Sequence, residues 1–493
     1  VPREKINRFL LKIKKIFSEK SRKRILISLI CIIKGFNSTM GKLVRLQKGF
    51  DIKLMGAAEY TTSNLPVSDV IAVKPPDFSG VVPKLTVEAG DEVLAGQPVF
   101  FDKHNPKIQF VSPVSGEVAE VVRGAKRRIM EIRIIPDRSE RKYVQHEPVD
   151  PLTQSRERIV ERLLEGGCWS YIRQRPFSLI ANPEDTPKAI FVSCFDTAPL
   201  APDLGFIVDS DRDNFQAGLA VLDKLAAGNL NVCLRKGGGE KDLNDGDIKS
   251  VSPDHIHSIQ GPHPAGNVGI QIHHIDPIRR GETVWFVHPQ DVIIIGRLFK
   301  EGRYRADRTV ALTGSSVSGR QYYSVLTGQK LSTLLENRIN EAKPRIIQGN
   351  VLSGTTTLID DFVSHYTNQI TVIPEGDEPE FLGWLTPGLE KLSLSHSYFS
   401  WLFPKKSYTL NTNMHGEERA FVMTGQYDKV LPMNIMPVFL LKAILARDIE
   451  RMEALGIYEV AEEDFALCEF MCTSKIEVQR IISEGLDYIR QEG

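Results

Sequence analysis

The sequence predicts a multidomain protein that combines α/β and all-β modules, on three observations. Its 493 residues correspond to three or four domains at roughly 100–200 residues each. A Val-, Gly- and Pro-rich stretch from about 44 to 135 reads as many short strands. Beyond about residue 150, strand-like and helix-like segments alternate, the mark of an α/β layer. With 42% hydrophobic and 25% charged residues, the chain can bury several cores and is not disordered.

The formal net charge is zero, but it is unevenly spread. Residues 1–39 hold eleven Lys and Arg against Glu4 and Glu19, so the rest carries nine more acidic than basic groups. An acidic body excludes nucleic acid as a partner, which requires a basic face. The uncharged run from Ile25 to Ile33 falls far short of the ~18–20 apolar residues that span a bilayer, and no A-x-A cleavage pattern follows it. Residues 1–39 are therefore expected to be a basic extension outside the native protein, which is expected to begin at Met40. The alternative is a cationic segment lying on an anionic membrane surface. Six scattered cysteines read as reduced cytosolic thiols.

The first module is placed at 40–148. Phe78-Ser79-Gly80-Val81, the run Val87 to Pro98 (VEAGDEVLAGQP) and Ser112-Pro113-Val114-Ser115-Gly116 put glycines at turn spacing, where a left-handed backbone is needed. These strings resemble the biotinyl/lipoyl barrel-sandwich family, in which a hairpin lysine carries the prosthetic group. Lys103 sits in the matching region. However, Lys103 to Pro113 is two residues longer than the usual lipoyl spacing, and Pro106 interrupts the hairpin. Lys103 is expected to carry neither biotin nor lipoate.

Residues 149–298 are expected to form a Rossmann-like α/β domain. Arg156 to Glu165 has Ile159, Val160, Leu163 and Leu164 on one helical face and ends at Gly166-Gly167. Ala189 to Cys194 and Leu230 to Leu234 read as buried strands, and Asp213 to Ala227 as an amphipathic helix between them. Residues 299–376, with strands near Val310 and Arg345 and a helix from Lys330 to Asn340, suit a β-grasp domain. Residues 377–493 are expected to be a helical domain, with apolar periodicity over Val438–Leu455 and Glu462–Ile489.

Most chemistry-bearing patterns read as ordinary structure. Gly237-Gly238-Gly239 lacks a G-x-G-x-x-G or Walker context, and Gly314 to Gly319 lacks the nucleophile-elbow spacing. His255, His257, His263, His273 and His274 fall within twenty residues but reproduce no zinc spacing. His273 and His274 would diverge on a strand, so no metal site is expected. Cys468 and Cys472 share a helix face and are too few for an iron-sulfur cluster.

Five further strings are Lys48-Gly49-Phe50-Asp51, Arg175-Pro176-Phe177-Ser178, Ala201 to Gly205 (APDLG), Gly261 to Gly266 (GPHPAG) and Leu467 to Cys472 (LCEFMC). Together they resemble the A-subunit family of sodium-translocating NADH:quinone reductases over about 44–490. That family is similar to the flavin-binding subunit of complex I and to an electron-transport component of the Rnf complex. The corresponding glycine stretch here, Glu165 to Ser170, is broken by Cys168 and Trp169, so the resemblance implies no flavin and no iron-sulfur cluster on this chain. It implies quinone as substrate, integral-membrane subunits as partners, and a place at the cytoplasmic face of the bacterial inner membrane. Phe78, Phe177 and Ser178 are the quinone-binding candidates, since a quinone needs apolar walls and a few donors. A soluble flavin-dependent oxidoreductase with a degenerate nucleotide site and a ligand-free scaffold remain the alternatives. The aromatic run Tyr398 to Pro404, followed by Lys405-Lys406, is expected to dock on a membrane partner, with packing in its own core as the alternative.

Overall fold

The computed structural model describes residues 41–138, 140–238, 241–377, 388–392, 394 and 398–492. The basic extension and Gly239 lie outside the described residues.

In the first module, a four-stranded antiparallel sheet (Ile71–Val73, Ile129–Pro136, Gly116–Arg123, Glu92–Val93) shares its core with a three-stranded one (Pro83–Leu85, Pro98–Asp102, Gln109–Val111). Alternation along these strands sends Ile71, Val99, Val118, Ile132 and Ile134 inward, all fully buried. The turns fall where the glycine spacing puts them, with Gly90 and Gly96 at φ of +95° and +88°.

The second module is built on a seven-stranded sheet in the order Leu43–Arg45, Ile256–Gln260, Leu230–Arg235, Ala189–Ser193, Val284–Phe286, Arg173–Arg175, Leu179–Ile180. The first five run parallel, the sixth runs antiparallel to them, and the seventh pairs antiparallel with the sixth. Ala189 to Val192 are wholly buried, the continuous apolar run of a strand covered on both faces. The Arg156–Glu165 helix begins where Ser155 accepts a hydrogen bond from the Arg158 amide. The Arg212–Leu225 and Pro289–Glu301 helices touch backbone to backbone. A Cβ on Gly218 would lie 2.0 Å from the Val292 oxygen, and one on Gly296 1.8 Å from the Asn214 oxygen.

A six-stranded mixed sheet forms the third module, in the order Thr355–Thr357, Pro344–Gln348, Gln369–Pro374, Asp307–Thr313, Gln321–Leu326, Glu59–Asn64. The helix expected from Lys330 to Asn340 is only Leu331–Leu335. Asn337 turns left-handed at φ +59°, and the chain leaves the helix axis there. The last module holds five α-helices among the described residues. The long periods expected at 438–455 and 462–489 are interrupted where Arg447 and Lys475 take φ of +53° and +54°.

One buried ion pair joins the second and third modules. Arg308 donates to the Asp291 carboxylate at 2.8 Å, with side chains 0% and 1% exposed. Its other guanidinium hydrogens go to the carbonyls of Thr367 and His365 and to the Asn368 side chain.

Candidate functional site

The strand order creates a switch point in the seven-stranded sheet. From Ala189–Ser193 the chain crosses to Leu230–Arg235 on one side. From Ile256–Gln260 it returns through the Val268–Ile275 helix to Val284–Phe286 on the other. The loops after the neighbouring strands 189–193 and 284–286 therefore part, and a crevice opens outside their carboxyl ends, where open α/β sheets bind ligands.

A cleft of about 140 Å³ lies at that place. Its apolar wall comes from Phe195, Leu204, Val268, Phe286, Leu352 and Ala466, and its polar groups from Arg173, Ser193, His263, Asn267, His288 and Glu463. The Phe286 ring lies beneath two guanidinium groups, Arg173 at 4.6 Å and Arg175 at 5.1 Å. Arg173 also lies 4.7 Å over the Tyr366 ring. Arg175 donates from Nη2 to Glu463 at 2.6 Å, yet its buried Nε and Nη1 have no protein partner.

His263 is 3% exposed and its protonation can be read from its contacts. The Thr197 hydroxyl oxygen accepts from the Gly266 amide at 2.9 Å, which leaves its hydrogen for His263 Nδ1 at 3.2 Å. Burial holds the ring's pKa below the ordinary histidine value, so it is neutral with its hydrogen on Nε2. That buried Nε2 is a donor without a protein acceptor. The loop is fixed from behind: the His263 amide donates to Asp51 at 2.8 Å, and a Cβ on Gly49 would fall 2.2 Å from the His263 oxygen. The strings KGFD and GPHPAG thus pack on one another.

Asp464 is buried next to the lining residue Glu463. Its carboxyl is 1% exposed and accepts from the Ala461 amide at 3.1 Å. It lies against Gly269, where a Cβ would come within 2.3 Å of Oδ2. Burial pushes its pKa up to about 7, with the Arg175 charge opposing the rise.

The three residues singled out in the sequence do not line this cleft. Phe78 is 4% exposed and sits in an aromatic cluster, with ring centroids 4.3 Å from Phe110 and 4.7 Å from His365. It touches Tyr366 at 5.9 Å, the ring that carries Arg173 on its other contact. Phe177 and Ser178 take left-handed backbone, φ +78° and +54°, and turn the chain between strands 173–175 and 179–180. Phe177 meets Tyr458 edge-on at 6.4 Å. Arg173 lies just before this pair and carries no local pattern that marks it, whereas Arg175 belongs to the string Arg175-Pro176-Phe177-Ser178.

Within the cluster, His255 and His257 share the Asn231 side-chain oxygen, and the other histidines have partners of their own. His257 accepts from the Lys42 amide and bonds Asn231, with its pKa pushed down to about 4 by burial. His273 pairs with Glu459, and His274 bonds the Pro432 carbonyl. Both lie on the Val268–Ile275 helix, not on a strand. Among the described residues no group of three or more His, Cys, Asp or Glu could hold a metal ion. Cys468 and Cys472 are buried in the C-terminal core, and Tyr427 donates to the Cys472 sulfur at 2.9 Å.

Lys103 is exposed on the hairpin between strands 98–102 and 109–111. The Asp102 carboxylate there accepts from the amides of Val82 and His104, a turn unlike an open lysine-bearing tip. The tryptic peptide carrying Lys103 is expected at its unmodified mass. A peptide heavier by biotin or lipoate overturns this.

Three family models match the chain. The NqrA N-terminal barrel-sandwich hybrid domain covers 44–137, the NqrA second alpha/beta domain 154–304, and the NQRA C-terminal domain 309–358. The A subunit of the Na(+)-translocating NADH-quinone reductase of Rhodopirellula baltica is 36% identical over 461 residues, 92% of this chain and 100% of that one. The chain belongs to this NqrA family. Its counterparts in Yersinia pestis and Hahella chejuensis are 36% and 37% identical, with the same coverage. The family's barrel-sandwich and second α/β domains account for the first two modules. A flavin phosphate does not fit at the Gly166-Gly167 turn. A Cβ on Gly166 would meet Leu298 at 2.4 Å, and one on Gly167 would meet Val111 at 2.4 Å, so the chain's own side chains occupy the space that close phosphate approach needs. Trp169 is wholly buried beside it and donates to the Ala181 carbonyl at 2.7 Å.

Proposed function

We propose that this chain is the peripheral subunit of a Na(+)-translocating NADH-quinone reductase and that its switch-point cleft receives the quinone head group. The supporting observation is the pairing of an aromatic wall, Phe195 and Phe286, with a lining donor that has no protein partner, His263 Nε2, and with the Arg173 guanidinium over Phe286. A quinone is flat, neutral and carries only acceptor oxygens. It matches a site that offers rings and N–H groups. Phe78 acts at one remove, by backing Tyr366 and thereby Arg173. Phe177 and Ser178 act by holding the turn that presents Arg173 and Arg175. The electrons come from flavin and iron centres on other subunits, several of them membrane-integral, and the chain itself holds no flavin, iron-sulfur cluster, biotin or lipoate. It sits at the cytoplasmic face of the bacterial inner membrane. Its finer architecture is Rossmann-like at 149–298, β-grasp at 299–376 and helical at 377–493, after a barrel-sandwich domain at 40–148.

In the assembled complex, His263→Ala and Arg173→Ala are each expected to raise the quinone KM about tenfold, the worth of one lost hydrogen bond, while leaving the NADH KM unchanged. Unchanged quinone kinetics in both variants would place the quinone elsewhere.

A further inference from the structure

The aromatic run near residue 400 is not core. Phe399, Trp401, Leu402 and Phe403 are 57%, 48%, 55% and 54% exposed, four large apolar side chains on one 3-10 turn, Phe399–Leu402, and its next residue. Ser400 alone turns inward, 2% exposed, and its carbonyl accepts from the Phe403 amide at 3.0 Å.

The turn stands on a firm base. The Met55 amide donates to the Tyr408 carbonyl and the Tyr408 amide to the Lys53 carbonyl, at 3.0 and 2.8 Å. The Lys53 ammonium caps the Pro404 carbonyl at 2.7 Å, which places a positive charge at the end of the turn. Met55, 53% exposed, adds apolar surface beside it. Lys405 and Lys406 follow directly, the latter paired with Glu390.

We propose that this turn is a wedge that inserts into an anionic phospholipid surface. Two arguments select lipid over a protein partner. A stable protein interface buries roughly 1,200–2,000 Å², far more than one turn of four side chains supplies. A lipid surface needs only a small apolar insertion with adjacent cations. Charge points the same way. Residues 388–410 hold Lys391, Lys405 and Lys406 against Glu390, whereas residues 40–493 carry an acidic excess of nine. An anionic surface attracts this turn and repels the rest of the body, so the wedge also orients the chain. Among the described residues no helix is long and apolar enough to cross a membrane.

The test is co-sedimentation of the full-length purified chain with vesicles of phosphatidylcholine alone and of phosphatidylcholine mixed with phosphatidylglycerol. Binding is expected at least tenfold stronger on the mixed vesicles and weaker in high salt. Trp401→Ser with Phe403→Ser should abolish it in a variant that still unfolds cooperatively. Lys405→Glu with Lys406→Glu leaves the apolar wedge intact and should weaken binding by about fivefold or more per lysine. Equal binding to both vesicle types, or full binding by either double variant, overturns the proposal. So does a serine variant that still binds vesicles yet no longer co-purifies with partner subunits, the outcome for a protein interface.

Discussion

Arg308→Ala is expected to cost about 3–5 kcal/mol of stability, the range for breaking a buried ion pair by removing one partner. The buried Asp291 carboxyl, 1% exposed, would lose its paired guanidinium and keep only the weaker influence of the Arg173 charge. Burial already raises its pKa, and the Arg308 charge is the largest influence holding it down. The carbonyls of Thr367 and His365 would lose their donor as well, while the Asn368 oxygen keeps Gln290. Denaturant unfolding should show an earlier midpoint and a separate transition for the third module, because this pair bridges two modules. Replacing both partners with apolar residues, Arg308→Met with Asp291→Leu, should recover much of the loss. A single variant as stable as the parent would mean that water reaches the pair.

Phe78→Ala is expected to cost about 3–5 kcal/mol through the cavity it leaves. The ring is packed against Phe110, Phe100, His365 and Tyr366 at centroid distances of 4.3–6.1 Å, at the junction of the barrel with the third module. Phe78→Leu keeps most of the volume and should cost below about 1.5 kcal/mol. Comparing the two separates packing from ligand contact. If Phe78 acts only by backing Tyr366, the leucine variant keeps its quinone KM. A large rise in that KM at nearly full stability would instead mean that the ring touches quinone directly.

The parts of this molecule that are legible in its sequence are those encoded by neighbouring residues. Ser155 before an apolar helical face and Gly166 after it mark Arg156–Glu165 to the residue, since a cap and a stop are local chemistry. The turns at Gly90 and Gly96 are readable for the same reason. The two interruptions in the C-terminal helices are not, because Arg447 and Lys475 are residues that rarely turn left-handed and nothing beside them advertises it. His273 and His274 pass for strand residues in the sequence because a short apolar run has no period of its own. The cleft is least legible. Its groups come from segments near 173, 193, 263, 286, 350 and 463, and only the sheet's strand order brings them together. Arg175 and His263 lie inside recognisable strings, but their unsatisfied hydrogens are a property of burial, which spacing does not record.

The place of the first two strands has a consequence for how the chain is made. Leu43–Arg45 pairs with Ile256–Gln260, and Glu59–Asn64 with Gln321–Leu326. Each early strand must wait for a partner more than two hundred residues downstream. At roughly 5–20 residues per second on the ribosome, that wait lasts on the order of ten seconds or more, during which both strands present open edges to other nascent chains. The barrel, whose strands are close in sequence, can close long before either edge is covered. Synthesis therefore passes through a stage in which a finished first module trails two unpaired strands, the interval when a holding chaperone matters most to this protein's yield.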